Sequence, residues 1–406
     1  MEAKPSSNRT HLYIVFGILA LAIVLTTISQ RRASLPRFRL LDSSGPYIAY
    51  LAPSVLEGNE SQTTNIWIDD LSFGANENDV YTAQQVTFIV GDAGEGVYDF
   101  AVSPDGGRIA YTQPESDTRA SDIMLLDLRT GAQRMLIDCT ASSCSAPTWH
   151  PSGDLLAYEQ TQYTVSEPGG PISNVTRVMI ADLRAEPFSL RPLFDDESRL
   201  SRAPRWSPDG LRLSVYDPIN EAIEVYNFED DSAVIFANGF GDVGVFSPDS
   251  ALLAFPMVVE NVGPFPFTQW QIGDLTNGEA DPIPSLLSGD VAAANDDALA
   301  AWRPTGDELA LARLTLDNQS QRQIVLVNIA IGESQPVTTD ADYSNSFIMW
   351  NADGERLLIQ RVPANGIVSE VWLYDFERGT LEQVAANAYA PQWIELPLMP
   401  ATPNPN

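Results

Sequence analysis

Two residue types that carry much of enzyme chemistry are nearly missing from this 406-residue chain. It holds two histidines, His11 and His150, and a single lysine, Lys4. A nucleophilic triad needs an imidazole or an equivalent base beside its nucleophile. His11 lies ahead of a long apolar run. His150 takes the first position of a repeated turn where Ser, Arg or Asn stands in the other copies. Schiff-base chemistry needs a lysine, and Lys4 is outside the region that patterns as globular. Neither a Gly-x-Ser-x-Gly elbow nor a Walker-type phosphate loop occurs. These absences give the expectation that the chain is not an enzyme: no histidine- or lysine-based active site is possible in the globular region, and no catalytic residue, metal or cofactor is assigned.

Positive charge is scarce as well. Acids outnumber bases 54 to 23, for a formal net charge of -31. That balance argues against a nucleic acid as partner, because the phosphate backbone would be repelled. Cysteine occurs only at Cys139 and Cys144, in the polar segment DCTASSC. Two cysteines so close in one loop fit a small disulfide and an oxidising compartment, with two unpaired thiols as the alternative. Zinc has no second Cys or His pair to complete four ligands. Hydrophobic residues make up 44% of the chain, which excludes wholesale disorder.

Long apolar runs are confined to one place. Leu12 to Leu25 carries no charge, and Thr26 to Ser29 extend it to Gln30-Arg31-Arg32. At a helical rise the stretch 12–29 spans roughly 27 Å, close to the hydrocarbon core of a bilayer. A cleaved leader competes, but its apolar core runs to about 7–15 residues and ends at a small-x-small site. The adopted reading is an uncleaved signal anchor at 12–29, after a flank at 1–11 and before a basic linker at 30–45. Arg31, Arg32, Arg37 and Arg39 on the C-terminal side favour a cytoplasmic body by the positive-inside rule. The acidic body, repelled by anionic headgroups, favours the opposite side. The expectation is a single-pass protein of the cell membrane with its large domain extracytoplasmic.

Internal repetition organises the rest. Ser103-Pro104-Asp105-Gly106 is echoed by His150 to Gly153, Ser207 to Gly210, Ser247 to Ser250, Arg303 to Gly306 and Asn351 to Gly354, at a mean spacing of about fifty residues. An apolar or aromatic strand precedes each turn and a largely apolar one follows it. In the turn itself Pro presets φ, Asp bonds locally and Gly tolerates positive φ. Two further strands complete each unit, the first ending in patterns such as IMLLDL or VWLYDF. Four short antiparallel strands per unit are the mark of a propeller blade. At the chain ends, Ala390 to Ile394 reads as a lone first strand. Its missing partners are Tyr47 to Leu51, Asn65 to Leu71 and Gln85 to Val90. The fold class is therefore all-β, a seven-bladed β-propeller over 46–395 whose terminal strands close one blade. Six blades, with the N-terminal strands as decoration, is the alternative. Closure removes the open sheet edge that invites aggregation. The Pro-rich segment 396–406 reads as a disordered tail.

The pattern W-S-P-D-G-x-x-[IL]-A-[YF], followed by an I-x-[LV]-x-D-L strand, resembles the TolB-like, WD40-like β-propeller repeat. Trp206 to Gly210 matches it in full and Val102 to Thr112 closely, whereas Ser250, Thr305 and Ala352 depart from it. The resemblance implies the fold strongly and function weakly, because propellers host many unrelated roles.

Trp149, Trp206, Trp302, Trp350 and Trp393 recur at one place in successive units, which suits filling between sheets better than lining a carbohydrate site. The turn aspartates Asp105, Asp209, Asp249 and Asp353 are explained by turn geometry. Acidic groups at Asp69-Asp70, Asp195 to Glu197, Glu229 to Asp231, Asp296-Asp297 and Asp340/Asp342 lack Ca²⁺-loop spacing and read as solvated loops. The variable loops gather on the face opposite the repeated turns, where function usually sits. Candidate partner-binding residues are Glu167 and Pro168 in one long loop, and Pro264, Phe265 and Phe267 in another. The expected function is a membrane-anchored, non-catalytic scaffold that binds a protein or polymer ligand outside the cytoplasm. The alternative is a carboxylate- or Ca-dependent propeller enzyme, a carbohydrate or lactone hydrolase or lyase.

Overall fold

The repeated four-residue segments fold as tight turns. The amide of Gly106 donates to the carbonyl of Ser103 at 2.8 Å, and the same i to i+3 bond closes the turns at Gly153, Gly210, Ser250 and Gly354. The Asp105 carboxylate accepts the Ser103 hydroxyl at 2.5 Å and the Gly107 amide at 3.1 Å. Asp209 and Asp249 accept the hydroxyls of Ser207 and Ser247 in the same way, as the sequence pattern expects of turn aspartates. Where the glycine is replaced, Ser250 adopts its left-handed conformation, with φ of 60°.

The computed structural model describes residues 41, 45–54, 63–71, 83–90, 96–115, 118–165, 172–184, 187–259, 267–283, 295–315 and 321–396. The anchor expected at 12–29, the flank before it, the tail from 397 and the candidates Glu167, Pro168, Pro264 and Phe265 lie outside them. Among the described residues there is no α-helix, and no helix long and apolar enough to cross a membrane.

Four of the sheets are antiparallel and contiguous in sequence. Their strands are Arg202–Trp206, Arg212–Asp217, Ala222–Asn227 and Ala233–Ala237; Val245–Phe246, Leu252–Val259, Phe267–Asp274 and Ala280–Pro282; Asn295–Trp302, Glu308–Thr315, Gln323–Asn328 and Ser334–Pro336; and Tyr343–Trp350, Arg356–Pro363, Glu370–Asp375 and Thr380–Ala386. An eight-stranded sheet combines Phe100–Val102, Arg108–Pro114, Ser121–Asp127 and Gln133–Ile137 with Ser142–Trp149, Leu155–Val165, Ile172–Asp182 and Ser189–Pro192. Its halves meet through one parallel pair, Ser121 opposite Ser143. There the two serine hydroxyls lie 2.7 Å apart, beside the disulfide joining Cys139 to Cys144, whose sulfurs are buried.

The remaining sheet draws on both ends of the described chain. Tyr389–Ile394 pairs with Tyr47–Pro53, which continues to Thr64–Asp70 and Gln84–Gln85. The fourth strand, expected from Gln85 to Val90, is only two residues long. Thr87 ends it by offering its side-chain hydroxyl, in place of a backbone carbonyl, to the amide of Ile66 at 2.8 Å.

The second strands, such as Tyr47–Pro53, Arg108–Pro114 and Arg212–Asp217, are buried on both faces because each sheet packs between two others, whereas the fourth strands are largely exposed. The recurring tryptophans carry that packing. The indole N–H of Trp149 donates to the carbonyl of Ala101 at 3.0 Å. Trp302 reaches Val245, Trp350 reaches Ala301 and Trp393 reaches Met349 in the same manner. Each ring thus fills the gap to the preceding sheet and satisfies its one donor there. Trp206 is the exception: its indole nitrogen is buried without a partner among the described residues, while the ring stacks on Phe228 and receives the edge of His150.

A second set of contacts ties turn to turn. His150 Nε2 lies 3.0 Å from the carbonyl of Gly210 in the next turn. Arg108 donates to the carbonyl of Gly153, Arg212 to that of Ser250 and Arg303 to that of Gly354. His150 thus does the structural task that arginine does elsewhere.

Candidate functional site

The first strand of each unit lies innermost, and together these strands line a cavity of about 740 Å³. Period-two alternation sends one side chain per strand inward at one level: Ala101, Thr148, Arg205, Val245, Ala301, Met349 and Gln392. Arg205 is the single charge in this ring and forms no ion pair among the described residues. Phe100, Phe347 and Leu299 add apolar surface, and Asp99 and Asp242 add carboxylates.

Gln392 shows how the inner strand edges can be used. Its amide nitrogen donates to the carbonyl of Phe100 at 2.6 Å, and its amide oxygen accepts from the amide of Val102 at 3.0 Å. The side-chain amide sits on the edge of the neighbouring strand as a peptide group would.

Three of the inner strands share the sequence Ala-Pro-x-Trp, beginning at Ala146, Ala203 and Ala390. Each alanine has positive φ, between 49° and 55°. At each the strand pairing slips register, forming a bulge. The exposed amide of the bulge is taken by a side chain of the preceding unit: Asp99 for Ala146 at 2.6 Å, Glu159 for Ala203 at 2.5 Å and Gln360 for Ala390 at 2.9 Å. Burial raises the Asp99 pKa, bonds from Thr112 and Ala146 pull it down, and the Glu159 charge raises it again; the balance is upward. Sequence reasoning passed over these acceptors, although the threefold Ala-Pro-x-Trp was a legible signal for the bulge.

The acidic groups singled out in the sequence are dispersed. Asp297 is buried in a bidentate pair with Arg313, at 2.7 and 2.9 Å, and Asp296 pairs with Arg322. Asp340 pairs with Arg361, whose guanidinium lies between the rings of Tyr343 and Trp372. Asp230 accepts the Ser232 hydroxyl and Asp231 that of Tyr226. Asp69 is the outlier, only 1% exposed, with burial lifting its pKa to about 6. Among the described residues no three His, Cys, Asp or Glu side chains converge as a metal-ligand set. Of the partner-binding candidates only Phe267 is described, as the first residue of a strand opposite Val259.

No protein-family model matches this sequence, and no curated protein matches it. Solved structures do. The β-propeller domain of the Trilobed protease from Pyrococcus furiosus, described as having an open velcro topology, aligns over 87% of this chain and 97% of that one, at 16% identity and a TM-score of 0.55. A putative 6-phosphogluconolactonase from Bacteroides fragilis aligns over 87% of this chain and 99% of that one, at 14% identity and a TM-score of 0.51. TolB from Acinetobacter baumannii aligns over 92% of this chain and 71% of that one, at 16% identity and a TM-score of 0.46.

These likenesses correct one expectation. The chain was expected not to be an enzyme, with no histidine- or lysine-based active site possible in the propeller. The structures that align along nearly their whole length are the propeller domain of a protease and a putative lactonase, so the fold does not exclude an enzyme. The inference from missing histidine and lysine was too strong because a carboxyl group can itself serve as acid or base once burial moves its pKa toward neutrality. Asp69 and Asp99 show that this fold makes such shifts. Strand order, the turn-framed repeat and the likeness to the Trilobed protease's propeller domain agree: in fold, the chain is a β-propeller.

Proposed function

We propose that the chain is a seven-bladed propeller, held outside the cytoplasm by an anchor at 12–29, that binds a protein or polymer ligand on the face opposite its repeated turns. Counting the two halves of the eight-stranded sheet separately makes seven four-stranded units, since a single parallel pair joins them. The disulfide between Cys139 and Cys144 suits an oxidising compartment.

One observation carries the binding face. Exposed apolar residues gather on the connections from second to third strand and from fourth strand to the next unit: Val90, Tyr98, Ile219, Phe240, Ile367 and Val368, while Met135, Leu190 and Ile235 are exposed along the outer fourth strands. On the turn-bearing face only Leu211 and Ile331 are comparable among the described residues. Exposed apolar surface gathered on one face suits recognition of a partner. In sequence order the candidates Glu167, Pro168, Pro264 and Phe265 fall between a second and a third strand and Phe267 begins a third strand, which supports assigning them to this same side. Arg205 within the cavity offers a fixed cation to an acidic group of the ligand.

The immobilised chain should retain a partner from envelope extract. Alanine at Ile219, Phe240, Ile367 and Val368 together should abolish retention at an unchanged melting temperature. Retention by that variant would refute the assigned face. Membrane fractionation with protease accessibility tests the anchor and its orientation.

A second reading, carboxylate-based chemistry on a carbohydrate or lactone in the axial cavity, draws on Asp99 alone, which borders the cavity with a raised pKa. Turnover of such a substrate that is lost in Asp99→Asn would favour it.

A further inference from the structure

The strands Leu155–Val165 and Ile172–Asp182 are each 11 residues long and extend beyond their neighbours. Alternation along them puts Val175, Arg177 and Met179 on one face, with Gln160 directly opposite Arg177. Phe194, Asp195 and Glu197, from the segment that follows the next strand, close over this face. They leave a cavity of about 220 Å³ that shares no residue with the axial one. Sites for drug-sized ligands run to roughly 300–1,000 Å³, so the occupant here is one small molecule.

The polar groups of this cavity are unevenly satisfied. Arg177 donates through Nη2 to the backbone carbonyl of Glu197, a neutral acceptor, and makes no ion pair among the described residues. Its Nε is buried with no partner. Arg177 is half-buried, and its nitrogens on the cavity side keep donors free for an anion. Its planar fork matches a carboxylate with two parallel bonds. On the rim, Asp195 and Glu197 are exposed and supply the opposite charge. Val175, Met179 and Phe194 supply apolar surface between them. One face of the Phe194 ring is already covered by the Arg199 guanidinium, at 3.5 Å from its centroid, and Tyr226 meets the ring edge to face. That leaves little aromatic surface for stacking a sugar.

We infer that this cavity binds a free α-amino acid with an apolar side chain, its carboxylate on Arg177, its ammonium toward Asp195 and Glu197, and its side chain on Val175, Met179 and Phe194. The site lies on a connection from a fourth strand to the next unit, the side of the proposed partner face, but shares none of the exposed apolar residues named for that face, so either can fail without the other.

Calorimetric titration of the purified full chain with L-leucine tests the assignment, beside N-acetyl-L-leucine, L-leucinamide and glucose. Leucine should bind saturably, and each blocked form should bind about tenfold or more weakly, the scale of one lost charge contact. Arg177→Met should remove binding. Val175→Trp, which fills the cavity while leaving Arg177 in place, should do the same at an unchanged melting temperature, and carries the test if the arginine variant does not fold. No saturable heat with leucine, equal binding of leucinamide, preference for glucose, or unchanged leucine affinity in Val175→Trp would each overturn the inference.

Discussion

Ile48 lies directly opposite Trp393 in the antiparallel pair that joins the two ends of the described chain. The Trp393 indole also donates to the carbonyl of Met349 in the adjoining sheet, at 3.2 Å. One side chain therefore closes its own sheet and fastens it to the next. The buried cluster around it includes Ile48, Tyr50, Leu358, Val371 and Val384. Trp393→Ala should lower unfolding free energy by about 3–5 kcal/mol. Trp393→Phe, which keeps most of the packing but leaves the carbonyl unpaired, should cost about 1–3 kcal/mol. Urea denaturation followed by circular dichroism reads both, and an unchanged midpoint for Trp393→Ala would show that the closing pair does not hold the ring.

Asp69 stands where Leu126 and Val327 stand in the corresponding strands, a position that packs into the sheet. Burial raises its pKa to about 6; the amide of Asp70 opposes the shift and the Asp70 charge adds to it. In the unfolded chain such a group titrates near pH ~3.9. Between these values the folded state binds the proton more tightly, so stability is greatest below about pH 4 and falls as pH rises through about 6. The loss amounts to roughly 2–3 kcal/mol by pH 7. Asp69→Asn should be the more stable protein at pH 7 and should show less of this decline. Denaturation midpoints from pH 4 to 7 that run parallel in the two proteins would contradict it.

Arg205 lines the axial cavity, exposed and outside any ion pair among the described residues. Arg205→Ala should leave stability within about 0.5 kcal/mol, as for other surface positions. Arg205→Glu should weaken capture of an acidic partner more than Arg205→Ala does, and this difference should shrink at high salt. Equal capture by all three proteins would remove the cavity from the binding reading.

Gly210 has φ of 75°, and a Cβ there would lie 2.4 Å from His150 Nε2, the atom that reaches the Gly210 carbonyl. Gly210→Ala should therefore cost about 1–3 kcal/mol, from backbone strain and from displacing the imidazole. Gly306 occupies the matching turn position with open space around it, and Gly306→Ala should be neutral within about 0.5 kcal/mol. Thermal melts of the two variants separate strain in the turn from a general need for glycine.

The sequence by itself determined the strand order, the turns and the meeting of the two ends. Those features are local and repeated: Pro, Asp and Gly impose a turn through their own backbone and side-chain bonds, and each copy confirms the others. The inward level of Ala101, Arg205 and Gln392 follows from the same periodicity. The tertiary structure alone decided what the non-repeating residues do. It turned the run Asp296-Asp297 into two ion pairs with Arg322 and Arg313, which lie further along the chain. It buried Asp69 while leaving Asp230 in solvent, though both sit in short acidic runs. It brought Arg177 and Phe194 together around a cavity that no motif announces. A charged residue's role is set by the water it loses and the partner it gains, and both come from chain segments that its neighbours in sequence do not specify.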